Sequence, residues 1–277
     1  VGQKGGVSQL SLKGEFQSNY RLSSNSIIIS DIINFNGEYL FASNNGVYHL
    51  SGNSLEVVTD NPNIIGANIH SFFLTNEDDL WLCTDVGLLS YDDVFGKLSK
   101  AKGLSTPHVE CAVEFKNEWV IGTYEGGLNF YNKSSIYRKE EFAELDDKII
   151  LSLFVSGENE LWIGTMNNGV YVHNSKDGVL RNFRTSNGLS GNHIKAIVAD
   201  YWDNIWIGTS GGGVSVFQNS PFIKYNSASG LNGDYVFSVL NDSRENLWLG
   251  TEGMGVMRIN DTSKVLFDEE SGFYSEK

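Results

Sequence analysis

Ile205-Trp206-Ile207-Gly208-Thr209, with a second glycine at Gly213, five residues beyond the first, decides how the rest of this 277-residue chain is read. The phrase returns as Leu161-Trp162-Ile163-Gly164-Thr165 with Gly169, and as Leu247-Trp248-Leu249-Gly250-Thr251 with Gly255. A short apolar run ending in Gly-Thr suits a tightly packed strand end, and the glycines after it suit a turn. Weaker copies extend the series toward the N-terminus. The first small residue of each copy is Gly2, Ala42, Cys83, Gly122, Gly164, Gly208 and Gly250, with steps of 40, 41, 39, 42, 44 and 42.

A period of about 41 residues matches one four-stranded blade of a β-propeller. In the best-formed copy, Gly188 to Asn192 is a turn cluster, Ile194–Ala199 an apolar inner strand, and Tyr201–Asn204 a hairpin. Ile205–Thr209 then returns the chain, Ser210–Gly213 turns it again, Val214–Phe217 is a third strand, and Phe222–Asn226 a more polar fourth. No stretch shows a sustained 3.6-residue amphipathic period, so helix is expected to be negligible. A small residue stands twelve positions before the anchor in most copies: Ser30, Ser71, Ser152, Ala196 and Ser238. Ala112, only ten before Gly122, marks a copy with the tighter hairpin Phe115-Lys116-Asn117-Glu118.

The prediction is an all-β, seven-bladed β-propeller of four-stranded antiparallel blades, one domain spanning residues 1–277. A blade of this size cannot bury its apolar faces alone, so neighbours must stack on it. Residues 1–3 and Gly5-Gly6-Val7 resemble the end of a second strand and the turn into a third. At the other end, Ser271-Gly272-Phe273-Tyr274 resembles the turn before an inner strand that does not follow. The seventh blade is therefore expected to be incomplete and built from residues 1–24 and 268–277, and the chain to be an excised part of a longer protein.

The formal charge of −14 argues against nucleic acid or an anionic membrane as partner. The apolar runs are too short to span a bilayer as a helix. Cys83 falls on a second strand and Cys111 on the next inner strand; both suit small buried hydrophobes, and their spacing does not say whether they pair. Trp81, Trp119, Trp162, Trp206 and Trp248 recur at a blade-core position and are read as structural. Asp200, Asn204 and Trp206 superficially resemble a sialidase Asp-box, but lie between a first and a second strand. Trp202, at a hairpin tip, is expected either to face a partner or to fold back on its own blade.

The consensus of a Gly-Leu turn, an inner strand, a polar hairpin, Leu-Trp-Ile-Gly-Thr and Gly-Gly-Val resembles the two-component-regulator propeller repeat. The resemblance covers essentially the whole chain and is most specific at residues 160–260; before residue 100, Leu40 and Cys83 stand where Trp and Gly are expected. It implies a periplasmic, non-catalytic sensor region of a bacterial hybrid two-component receptor. Such receptors place neighbouring propeller and immunoglobulin-like modules before a membrane helix and a kinase. It also implies, in many members, a response to oligosaccharides from glycan breakdown; a homodimer is a further expected partner arrangement.

In an up-and-down blade, the loop entering the first strand and the loop joining the second to the third lie on one face, the default ligand site. That face is expected to carry Asn68, His70, Asp85, His108, Tyr124, Glu125, Met166, Asn167, Asn192, His193, Ser210, Asp234, Tyr235 and Glu252. Aromatic rings beside amides and carboxylates suit the faces and hydroxyls of sugars, and Tyr124-Glu125 and Asp234-Tyr235 stand out. Ordinary polar loop tips are the plainer explanation for any one of these residues. The five histidines show no metal-ligand spacing, so no metal or cofactor is expected, although Asp85, Glu125, Asp234 and Glu252 suit either Ca²⁺ or an acid–base pair. There is no Walker loop. A protein- or glycan-binding scaffold, or a propeller lyase or hydrolase, remains the alternative to a sensor.

Overall fold

The computed structural model describes residues 2–3, 6–10, 16–22, 26–58, 61–92, 96–99, 102–218, 222–252, 254–260, 263–268 and 270–271. It divides into two compact units, one within residues 1–139 and one within 140–273.

The first unit holds four antiparallel sheets whose strands follow chain order. A three-stranded sheet comprises β1 (Gly2–Gln3), β2 (Gly6–Leu10) and β3 (Phe16–Arg21). The next comprises β4 (Ile29–Phe35), β5 (Glu38–Ser43), β6 (Gly46–Ser51) and β7 (Ser54–Val57). Then come β8 (Ile69–Leu74), β9 (Leu80–Thr84), β10 (Gly87–Ser90) and β11 (Lys97–Leu98). The last is β12 (Val109–Phe115), β13 (Glu118–Thr123), β14 (Gly127–Tyr131) and β15 (Ile136–Tyr137).

The second unit repeats the plan three times. Its sheets are β16 (Ile150–Ser156), β17 (Glu160–Thr165), β18 (Val170–Asn174) and β19 (Val179–Phe183); β20 (Ile194–Ala199), β21 (Ile205–Thr209), β22 (Gly213–Phe217) and β23 (Phe222–Tyr225); and β24 (Val236–Asn241), β25 (Leu247–Thr251), β26 (Gly255–Asn260) and β27 (Ser263–Phe267). Helix is confined, among the described residues, to short 3-10 turns such as Glu140–Leu145. The first sheet lacks a fourth strand among the described residues, as an incomplete blade requires. Its expected completion by the C-terminus falls on residues 272–277, outside those described.

Each apolar cluster straddles two consecutive sheets, which is why one repeat cannot fold alone. Leu40, Ala42 and Val47 pack with Ile69, Leu80 and Leu82, while Phe73, Cys83 and Leu88 pack with Val109, Trp119 and Ile121. In the second unit, Trp162, Val170 and Val172 meet Ile194, Ile197 and Ile207, and Val214 and Val216 meet Val236 and Leu249. The inner strands also stitch to one another through side chains. Ser30 Oγ donates to Ile69 O at 2.6 Å, Ser71 Oγ to Glu110 O at 2.8 Å, and Phe72 N to Asp31 Oδ2 at 2.8 Å.

All six inner strands carry one register shift near their start. The residue inside the shift is Ser30, His70, Glu110, Leu151, Lys195 or Phe237. In two sheets the residue opposite the anchor is not the small residue marked by spacing. Ala42 faces Asp31, not Ser30, and Gly122 faces Cys111, not Ala112. Both sheets close their first hairpin with two positive-φ residues, Asn36-Gly37 and Lys116-Asn117, which shortens the count by one.

The motif glycines serve two different needs. Gly213 has φ +75°, and a Cβ there would lie 2.2 Å from Tyr225 O on the fourth strand. Gly208 has an ordinary φ, but a Cβ on it would come within 3.1 Å of Val236 and Val239 in the next sheet.

Candidate ligand-binding faces

In the sheets that begin with β12, β16, β20 and β24, the two loops expected to share a face are hydrogen-bonded to one another. Tyr124 N donates to His108 O at 3.0 Å, Met166 N to Ile149 O at 3.0 Å, Ser210 N to His193 O at 2.9 Å, and Glu252 N to Tyr235 O at 3.0 Å. The residue leaving the second strand is thereby held beside the residue entering the first.

In the first unit, polar side chains gather between the sheet that begins with β8 and the sheet that begins with β12. Asp85 accepts from Asn68 Nδ2 at 2.8 Å and from His70 Nε2 at 2.7 Å. His108 Nε2 lies 3.3 Å from Asp85 Oδ1 and 3.0 Å from Glu110 Oε1. His70, His108 and Tyr124 form a column of stacked rings, with centroids 4.5 Å and 4.9 Å apart. Burial works to raise the Asp85 carboxyl, but the hydrogen bonds from Asn68 and His70 and the charges of both imidazoles outweigh it and hold the group low. Glu125 stands exposed at the edge, on a backbone with φ +59°.

Histidine spacing along the sequence did not reveal that two members of this expected face, His70 and His108, stand side by side. His70 and His108 are 38 residues apart in the chain, yet β8 and β12 are neighbouring inner strands, so one blade repeat sets the rings side by side. Glu110 was absent from the expected set because it lies inside an apolar-looking strand; the register shift at that position turns it out of the pleat.

In the second unit, the expected residues separate into clamps and free groups. Asn192 Oδ1 accepts from Thr185 N at 2.9 Å, and Asp234 Oδ1 from Ser227 N at 2.6 Å. Each side chain reaches seven residues back to pin the loop that precedes its own inner strand. These two hydrogen-bonding tips are therefore occupied, and the Asp234-Tyr235 pair is a clamp beside an aromatic, not two groups held out together. Tyr235 is half exposed and lies over Gly211, where an added Cβ would sit 3.6 Å from the ring. Asn167 and Glu252 are exposed, and Met166 is half-buried. His193 Nε2 is buried without a hydrogen-bond partner. Burial, with Lys195 nearby, pushes the His193 imidazole below its ordinary value and so disfavours its charged form.

Other singled-out residues are structural. Trp119 and Trp162 are buried, and the Trp119, Trp206 and Trp248 indoles donate to Glu114, Asp200 and Asp242. The Asp200, Asn204 and Trp206 set is thus a hairpin cap. Asp200 also accepts from the backbone of Trp202 and Asn204. Trp202 does not fold back: it is half exposed, in edge contact with Tyr201. Cys83 and Cys111 are free thiols, and burial pushes Cys83 up to about 12 and Cys111 well above its ordinary value.

The family described as "Two component regulator propeller" matches residues 188–211 and 230–253, the segments around the second and third inner strands of the second unit. Those two segments match the two-component-regulator propeller repeat. It is similar over 97% of its length to the extracellular domain of a B. thetaiotaomicron protein described as a hybrid two component system, BT3049, with 18% identity and a TM-score of 0.64. A second such extracellular domain, of BT4673 from the same organism, matches all of this chain at 18% identity and a TM-score of 0.55. The chain spans 44% and 48% of those two chains, less than half of each. An inactive virginiamycin B lyase from Staphylococcus aureus matches 89% of this chain, and 86% of its own, at 12% identity and a TM-score of 0.66. No curated protein matches. At these identities the solved structures establish the fold alone, a β-propeller of small antiparallel sheets.

Proposed function

We infer that the chain is a ligand-sensing propeller from the extracytoplasmic part of a two-component receptor, located in the periplasm. The observation that carries this reading is the pair of matched repeats in a chain whose whole length follows extracellular domains of two component systems. The chain acts as a binding module and not as an enzyme. Its ligand is an oligosaccharide, taken by the loop faces that hold Tyr124 with Glu125 in one unit and Tyr235 with Glu252 and His193 in the other. Rings with an open face suit the apolar faces of sugars, and the adjacent carboxylates suit their hydroxyls.

Sensing needs a ligand with different affinity for two arrangements of the receptor. Cross-braced blades are too stiff to supply these internally, so the response is a rigid-body change between this propeller and its neighbouring propeller and immunoglobulin-like modules, within a homodimer. Calorimetry against a panel of glycan fragments tests the reading. One fragment class binds without being consumed, and Tyr124→Ala or Tyr235→Ala weakens it at least tenfold. Normal binding by both variants removes these faces from the proposal, and turnover of the fragment replaces the sensor with an enzyme.

A further inference from the structure

We propose that His70, His108 and Glu110 form a binding site for a first-row divalent metal ion of the Zn²⁺ class, with Asp85 as the outer carboxylate that orients it. The proposal is independent of the receptor reading and rests on the geometry of the first unit.

One ligating atom from each of the three side chains lies within 4.8 Å of the other two. Two N or O ligands on a tetrahedral Zn²⁺ stand about 3.3 Å apart, given bond lengths near 2.0–2.1 Å. His108 Nε2 is 3.0 Å from Glu110 Oε1 and His70 Nδ1 is 3.8 Å from Glu110 Oε2, so the two rings approach the two oxygens of one carboxylate at separations close to that edge. Two imidazoles and one carboxylate are a donor set that Zn²⁺ takes readily, and three protein ligands leave a fourth position open.

The protonation pattern fits as well. A carboxylate only accepts hydrogen bonds, so His70 Nε2 is the donor in the 2.7 Å contact with Asp85, and in the neutral ring that a metal ion requires the lone pair is then on Nδ1, the nitrogen facing Glu110. A carboxylate on the outer nitrogen of a ligating histidine is the arrangement that orients metal-bound imidazoles. Asn68 holds that carboxylate in turn. His108 Nε2 is buried and makes no hydrogen bond of acceptable angle, although two carboxylates approach it.

The fold explains why these residues converge. His70 and Glu110 occupy the register shifts of β8 and β12, where a strand redirects a side chain at little cost to pairing. Residues at these shifts on adjacent inner strands reach one another elsewhere too. Lys195 and Phe237, at the same positions in the second unit, meet with the ammonium 5.3 Å from the ring centroid. The blade repeat thus supplies a recurrent meeting point, and in one place fills it with metal-ligating side chains. The two imidazoles are stacked with their planes 19° apart, so bringing both nitrogens onto one ion requires His70 to tilt about its soft Cβ–Cγ torsion.

The test is titration of the chelator-treated chain with Zn²⁺ by calorimetry, and with Co²⁺ by visible absorption. One equivalent of Zn²⁺ binds, and Co²⁺ develops the intense d–d bands of four-coordination. His108→Ala and Glu110→Gln abolish both signals, Asp85→Asn weakens the affinity by about 10–100-fold, and His49→Ala, whose ring pairs with Glu38 instead, changes nothing. Glu110→Gln preserves shape, so it remains decisive if His108→Ala unfolds by circular dichroism. No Zn²⁺ binding, or binding unaffected by Glu110→Gln, overturns the site and leaves the cluster as ion pairs between imidazolium and carboxylate.

Discussion

The glycines of the repeat look alike in sequence and do unlike work. Gly208 is small because Val236 and Val239 of the next sheet close on it, and side-chain methyl groups can shift by tenths of an ångström. Gly213 is small because its φ is +75° and a backbone carbonyl sits where a Cβ would go, which no rotamer change relieves. Gly208→Ala is therefore expected to cost about 1 kcal/mol, in the range of mild overpacking, and Gly213→Ala roughly 3 kcal/mol or more, since strain and a backbone clash add. Chemical denaturation of the two variants checks the order. Equal losses would mean that the third-strand turn adjusts more freely than its geometry indicates. Sequence spacing located both glycines but could not tell a turn requirement from a packing requirement, because that depends on which strand lies opposite.

The hairpins between first and second strands read as solvated acidic turns, and at Asp200 and Asp242 they are more than that. Asp242 accepts from Arg244 N, Asn246 N, Asn246 Nδ2 and Trp248 Nε1, each near 2.9 Å, so one carboxylate joins a turn to the blade-core tryptophan. Burial works to raise its carboxyl, but the indole, amide and backbone donors outweigh it and hold the group low. A folded-state value below the unfolded one gives stability that is present at neutral pH and lost as the pH falls through the folded value. Asp242→Asn should therefore lower Tm by a few degrees at pH 7, and the gap to the parent should close below about pH 4. A gap that stays constant from pH 7 to pH 3 would show that shape, not charge, holds the hairpin. At this scale the strand pattern was legible throughout, because alternation and glycine punctuation are local signals. The register of β4 and β12 was not, since a two-residue hairpin and a shifted pair move the small-residue mark by one position without altering composition.

Across the molecule, the repeat made the blades readable but left the site only half so. The turn order alone places residues at equivalent loop positions at the same end of their sheets. Which of them are free was hidden: Asn192 and Asp234 look like ligand groups and are loop clamps, while Glu110 looked like strand and faces two histidines. Charge, by contrast, depends on no detail of placement. The chain carries a formal −14, and compacting like charges works against folding through self-repulsion. Salt screens such repulsion with a range of about 10 Å at 0.1 M. Raising NaCl from low-millimolar levels to near-physiological strength at pH 8 should therefore raise Tm by several degrees, and the same step near the sequence pI of about 4.7 should have little effect. Differential scanning calorimetry at the two pH values decides it. A salt response of equal size at both would assign the effect to ion exclusion acting on buried apolar surface instead of to net charge.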